Sequence, residues 1–279
     1  MALKNILVQL DATKASPARL AYAMALARTH DAHLIALSLV AEPYIPAAVG
    51  VSVPPEVVRQ QRAMAEAEAE EQLEGARKAA QQAGVPVETR HETVSVDRLA
   101  DSLARQARHV DLAIVGQPDP DAGGGETFVA EAAFMQSGRP AILVPYVGTE
   151  ARSPERVLCA WNGTREAARA INDAMPLLEK ALKVTVLVVD PQRHEAQLGA
   201  APGADIATHL ARHGLKVEVK AVQSGGMGVG DVLLSTASDE SADLLVMGGY
   251  GHSRLREMVL GGTTAHLLHH MTVPVLMAH

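Results

Sequence analysis

Apolar residues in this chain fall into two patterns that alternate from end to end. Short, nearly continuous apolar runs are separated by Ala-rich segments whose apolar positions recur three and four apart. The first period is that of strands buried on both faces, the second that of amphipathic helices. Ile6-Leu7-Val8-Gln9-Leu10-Asp11 opens the series and leads into a helical pattern through Leu20, Ala23, Met24 and Ala27. Val157-Leu158-Cys159-Ala160-Trp161-Asn162 repeats that shape and leads into Ala167, Ala168, Ile171, Ala174 and Leu178. The strand-like run His33 to Val40 has its counterpart in Val184 to Val189. Val110 to Gly116 matches Ala242 to Gly248, and Arg139 to Val144 matches Val273 to Met277.

The matches keep the same order in both halves, so one unit is written twice. Each half reads β-α-β-α-β-α-β-α-β, which predicts an α/β fold with a parallel sheet covered by helices on both faces. Gly, Thr, Glu, Ser and Pro cluster between Gly148 and Pro154 and mark the boundary, giving domains over residues 1–150 and 151–279. The first half also carries an insertion, Ala41 to Val57, rich in Pro and Val. It is expected to form a loop over a sheet edge or the partner domain.

Composition supports this picture and narrows the function. The 279 residues suit two domains, and 48% hydrophobic against 20% charged residues is ordinary for a globular core. Aromatics supply only 3%, so Ala, Val and Leu fill the interior. A net charge of −7 argues against non-specific nucleic-acid binding. The acidic stretch Glu66 to Glu74, interleaved with Ala, reads as a solvated helix face. No apolar run reaches membrane-spanning length and the start shows no leader pattern, so a cytoplasmic location is expected. The lone cysteine, Cys159, sits inside an apolar run and reads as packing rather than as a nucleophile.

The most specific segment runs from Gly248-Gly249-Tyr250-Gly251-His252 to Gly261-Gly262-Thr263-Thr264, after the fourth strand of the second half. Gly248 and Gly251 allow a sharp turn and close approach of backbone to a ligand. Gly261 and Gly262 precede a helix pattern that begins near Thr264, where free N–H groups and the helix dipole attract an anion. Thr263 and Thr264 offer hydroxyls to a ligand or to the helix end, and Arg254 and Arg256 offer positive charge. His252 is either a phosphate neighbour or a solvent-facing loop residue. In an open α/β sheet such a ligand binds beyond the carboxyl ends of strands one and four, at the switch point.

Gly248-x2-Gly251-x9-Gly261 resembles the Gly-x2-Gly-x9-Gly-Ser/Thr loop of ATP-binding universal stress proteins, and the resemblance extends over both halves. It implies two flavodoxin-like, Rossmann-like doubly wound domains with strand order 3-2-1-4-5. It also implies pairing of the domains through their last strands and an adenine nucleotide, ATP or a relative, along the second crevice, with or without Mg²⁺. On that resemblance Gly248, Gly251 and Gly261 surround ribose and phosphates, and Thr264 takes the hydroxyl position at the helix start. Asn162 stands where the family often has an Asp near adenine, and Val189 lends its backbone to the adenine edge. Two positions depart from the pattern: Gly262 replaces the first hydroxyl residue, and Asn162 replaces Asp.

The first half has lost this loop. After its fourth strand come Gly116-Gln117-Pro118-Asp119, with Asp119 at the second glycine's place and Asp121 and Glu126 adding negative charge. Like charges repel phosphate. Asp11 alone retains an expected site position, so the first domain is expected not to bind ATP in the usual way. Neither a Gly-x-Ser-x-Gly elbow nor a Walker loop occurs, and slow ATP hydrolysis is the most enzymatic activity expected. Two other readings stand beside nucleotide binding: an interaction and assembly protein with a relic loop, and a histidine-dependent metal or small-ligand sensor. Twelve histidines include His266, His269 and His270, spaced to lie near one helix face. No Cys or acidic residue lies close to them in sequence. A homodimer is compatible with the tandem arrangement.

Overall fold

Strands that are apolar at nearly every position need cover on both faces, and the chain supplies it by returning through a helix between successive strands of each half. The computed structural model describes residues 2–42, 54–118, 125–147, 149–194, 201–250 and 262–279. The first half runs β1 (Asn5–Leu10), α1 (Ser16–His30), β2 (His33–Ala41), α2 (Pro55–Gln82), β3 (Val87–Val94), α3 (Leu99–Ala107), β4 (Leu112–Gly116), α4 (Gly125–Met135) and β5 (Ala141–Val144). The second runs β6 (Arg156–Ala160), α5 (Arg165–Leu178), β7 (Lys183–Val189), α6 (Ala204–Arg212), β8 (Val217–Val222), α7 (Val229–Asp239), β9 (Leu244–Gly248), α8 (Thr263–His270) and β10 (Val275–Ala278).

The ten strands form one sheet in the order β3-β2-β1-β4-β5-β10-β9-β6-β7-β8. Each half is therefore a parallel 3-2-1-4-5 sheet. The halves join through the antiparallel pair β5–β10, with Val275 opposite Leu143 and Met277 opposite Ala141. Domain pairing through the last strands is what the family resemblance implied. Strand ends differ from the sequence reading by a residue or two: β10 begins at Val275 rather than Val273. Residues 55–57 of the expected insertion belong to α2, whose N1 or N2 position holds a proline as helix starts tolerate, while 43–53 lie outside the described residues.

Two cores lie on opposite faces of the sheet. One gathers α1, α2, α5 and α6 through Leu26, Leu73, Ile171 and Leu210; the other gathers α3, α4, α7 and α8 through Leu103, Phe134, Leu233 and Leu267. Ile142 and Leu276, on β5 and β10, share the first core, so it crosses the domain junction without a break. The edge strands β3 and β8 are not apolar runs. Val87–Val94 and Val217–Val222 carry Glu, Arg, Lys and Thr, and the charge on these exposed edges discourages pairing with another sheet. On α2, Ala69 and Leu73 turn inward while Glu68, Glu70 and Glu71 stay exposed, the solvated acidic face expected.

His30, at the end of α1, is buried, and burial followed by the charge of Lys180 lowers its pKa from 6.5 to about 4. The fold therefore favours the neutral imidazole. Above pH 6.5 both states are neutral and His30 has no effect on stability. As pH falls from 6.5 toward about 4, the unfolded chain takes up a proton that the native state refuses, and stability declines. Glu66 and Glu88 have lowered pKa values, so their ion pairs fail only at lower pH. Urea unfolding should show a loss on the order of 1 kcal/mol between pH 7.5 and 5, and His30→Gln should flatten that slope. An unchanged slope would place the titration elsewhere.

Candidate functional site

Four elements of the second half converge at the carboxyl ends of β6 and β9, which pair directly through Leu158 and Leu245. Asn162 lies two residues beyond β6. Its Oδ1 accepts from the Thr164 N–H at 3.2 Å and from the Thr164 hydroxyl at 2.9 Å, closing a tight turn. Thr164 in turn caps α5, accepting from the Ala167 N–H at 3.3 Å. The Asn162 side chain thus has a local structural task, while its amide nitrogen donates to no described residue.

Gly248 ends β9 against the start of α5. A Cβ there would lie 2.6 Å from the Ala167 nitrogen and 2.6 Å from the Glu166 carbonyl carbon, so only glycine permits this approach of strand to helix. Glu166 is buried beside it. Burial pushes its carboxyl upward, but hydrogen bonds from Arg165 and from its own backbone N–H, with the Arg165 charge, outweigh this and hold the group below the usual carboxylate range. The sequence reading missed Glu166. Its signal was an acidic residue in the first turn of a helix that starts at the crevice, where the helix dipole favours a negative charge.

Val189 is the last residue of β7, paired with Val222 of β8, and Asp190 follows it in a left-handed conformation at φ 48°. The buried Asp190 carboxylate accepts from the Ser224 N–H and from the Ser224 hydroxyl, each at 2.7 Å, and ties the ends of β7 and β8 together. Gly262 is the N-cap of α8, with extended backbone, and no side chain caps the helix. Thr263 is its first residue. Thr264 is buried and its Oγ1 accepts from the Tyr250 N–H at 3.1 Å, so this hydroxyl bridges the two described ends of the glycine loop instead of capping its helix. Gly251, His252 and Gly261, together with Arg254 and Arg256, lie outside the described residues.

The first half builds the same turn and then closes it. Asp11 Oδ1 accepts from the Thr13 N–H at 3.1 Å and from the Thr13 hydroxyl, as Asn162 does from Thr164. Its other oxygen pairs with Arg19 at 2.5 Å, and Arg19 Nε donates to the Gln9 carbonyl at 2.7 Å. The Arg19 side chain is 2% exposed, and its guanidinium occupies the space where a Cβ on Gly116 would stand. The repeat puts Ala170 at the matching place in α5, so among the described residues of the second half no arginine stands where Arg19 does, and α5 backbone lies against Gly248 instead. Asp119 and Asp121 lie outside the described residues, as does the side chain of Glu126.

Cys159 is fully buried in β6, and burial pushes its thiol up to about 12, which removes it as a nucleophile near neutral pH. On α8, His266 Nε2 lies 3.0 Å from Asp231 of α7, and its ring stacks on His270 at 4.3 Å. Asp231 is an acidic neighbour invisible in the local sequence. No group of three or more His, Cys, Asp or Glu side chains among the described residues could hold a metal ion. No described helix is long and apolar enough to cross a membrane.

A model of the universal stress protein family matches the chain twice, over residues 2–127 and 154–279. A universal stress protein of Synechocystis sp. is 26% identical over 209 residues, 73% of this chain and 69% of that protein. Among solved structures, a universal stress protein from Archaeoglobus fulgidus superposes with a TM-score of 0.74 at 17% identity, covering 98% of this chain and 95% of that one. A functionally unknown protein from Pseudomonas aeruginosa superposes at 0.59 with 16% identity, covering 99% and 92%.

Proposed function

Because the chain belongs to the universal stress protein family, we propose that it is a cytoplasmic stress-response module whose second domain holds an adenine nucleotide, ATP with Mg²⁺, between the ends of β6 and β9. The domains are taken as residues 1–150 and 151–279. The observation that carries this reading is the asymmetry of the two crevices. Arg19 fills the first from within, whereas the second has Ala170 at that place, a free Asn162 amide and an α8 start without a side-chain cap.

The chemistry suits a nucleotide. The Asn162 amide can donate to a ring nitrogen of adenine, and Val189 ends the strand next to it. The N–H groups in the first turn of α8 offer donors suited to phosphate, and the glycine spacing supports the same ligand. The Gly262 position keeps a backbone donor although it lacks the hydroxyl. The Glu166 carboxylate beside Gly248 would repel bare phosphates, which favours a nucleotide arriving with its divalent ion. Binding would leave a surface that differs between the loaded and empty chain for partners to recognise.

A fluorescent adenine nucleotide titrated into the full chain tests this. Gly251→Asp should abolish binding, and Asn162→Leu should weaken it by at least roughly tenfold, through loss of the amide donor together with the turn that Thr164 closes on Asn162. Equal affinities in the wild type and Gly251→Asp would refute the assignment. One observation favours the second reading, an interaction protein with a relic loop: the loop's first residues already have protein partners in the first domain. In that case the wild type binds no nucleotide.

A further inference from the structure

Those partners come from α4. Tyr250 directly follows Gly248-Gly249, and its phenol donates to the carboxylate of Glu131 on α4 of the first half. Its ring stacks on Phe134 at 6.4 Å between centroids and 14° between planes. Gly249 lies so close to the same ring that a Cβ there would stand 2.5 Å from Phe134 Cε2. Tyr250 itself is held in a left-handed conformation, φ 50°, unusual for a bulky residue and sustained only by surrounding contacts. Its N–H is bound by Thr264 at the head of α8. One residue therefore touches both described ends of the glycine loop and a helix of the other domain. The arrangement has no mirror image, because Pro118 takes the place of Tyr250 in the first half and carries neither ring stack nor hydroxyl.

We infer that the first domain is a working part of the second domain's site: Glu131 and Phe134 on α4 position Tyr250, and through it the backbone at Gly248-Gly249 and the head of α8. Occupancy of the second crevice is thereby communicated to α4. The ligand half of this inference rests on the nucleotide reading; the coupling of α4 to Tyr250 does not. Glu131 and Tyr250 are positioning residues. A hydrogen bond to a buried carboxylate is among the stronger single contacts available, and its donor lies 119 positions away along the chain.

Hydrogen exchange of the full chain, with and without ATP and Mg²⁺, separates the two parts. Without nucleotide, Tyr250→Phe and Glu131→Leu should each speed exchange in residues 125–135 and 263–270 by about tenfold, leaving 5–10 and 33–41 unchanged. The double variant should be slower than the two single effects combined would give, since both remove the same contact. Glu131→Gln keeps an acceptor oxygen but not the charge and should fall between the wild type and Glu131→Leu, a graded effect that a simple loss of packing would not reproduce. With ATP, residues 125–135 should gain protection in the wild type and not in Tyr250→Phe. Unchanged exchange in α4 of Tyr250→Phe overturns the inference, as does ATP binding that leaves α4 protection unaltered. If the wild type binds no ATP, the nucleotide reading falls, and the ligand-free comparison still decides the coupling.

Discussion

Gly248→Ala should destabilise the protein by about 3 kcal/mol, the upper end of the overpacking range, because the added methyl meets backbone rather than a yielding side chain. The Ala167 nitrogen and Glu166 carbonyl carbon stand 2.6 Å from where that methyl would be, and both belong to the first turn of α5. Relief requires α5 to lift from β9, and with it Glu166 and the capped turn that presents Asn162. Thermal melting should fall by roughly 6–12 °C for a chain of this size, and nucleotide affinity should fall with it. Gly75 provides the control. It lies within α2, and a Cβ there meets nothing within 4 Å. Gly75→Ala should stabilise by about 0.5–1 kcal/mol through the reduced entropy of the unfolded chain. A Gly248→Ala protein that melts with the wild type would show that the strand and helix do not meet so closely.

Arg19→Met carries the second large effect. The methionine refills the apolar part of the space but deserts two acceptors, the Asp11 carboxylate and the Gln9 carbonyl. Breaking a buried pair from one side typically costs 3–5 kcal/mol; the Asp11 side chain is 31% exposed and regains some water, so about 2–4 kcal/mol is expected in urea unfolding at pH 7. Asp11→Asn added to Arg19→Met should recover part of the loss, because the Thr13 bonds persist and no uncompensated charge remains. A single variant as stable as the wild type would mean that the plug contributes nothing. Opening the first crevice in this way adds no glycine loop, so nucleotide binding should stay confined to the second domain.

The parts of the fold visible in the sequence are those set by short-range pattern. Buried parallel strands such as Ile6–Leu10 and Leu244–Gly248 announce themselves by continuous apolar runs, and duplication made each half a check on the other. The edge strands β3 and β8 gave no such signal, because their exposed side must carry charge. At the candidate site, Gly248 stood out by its glycine spacing, and Asn162 and Thr264 were singled out through the family resemblance. Their turn-closing, close-packing and bridging roles were not, since each depends on a neighbour brought in by the fold. Arg19 is a polar position in an Ala-rich helix, and nothing local says that it folds back onto Asp11. Glu131 and Tyr250 belong to different domains, and only the β5–β10 junction brings them together. The interior of the glycine loop, Gly251 to Gly261, carries the strongest sequence signal and lies outside the described residues.

Calorimetric titration of the full chain with ATP and Mg²⁺ decides whether the second crevice alone takes nucleotide, because it counts sites as well as measuring affinity. About one site per chain is expected, lost in Gly251→Asp and retained in Arg19→Met. Two sites per chain would contradict the closure of the first crevice, and no heat of binding in the wild type would contradict the assignment of the second.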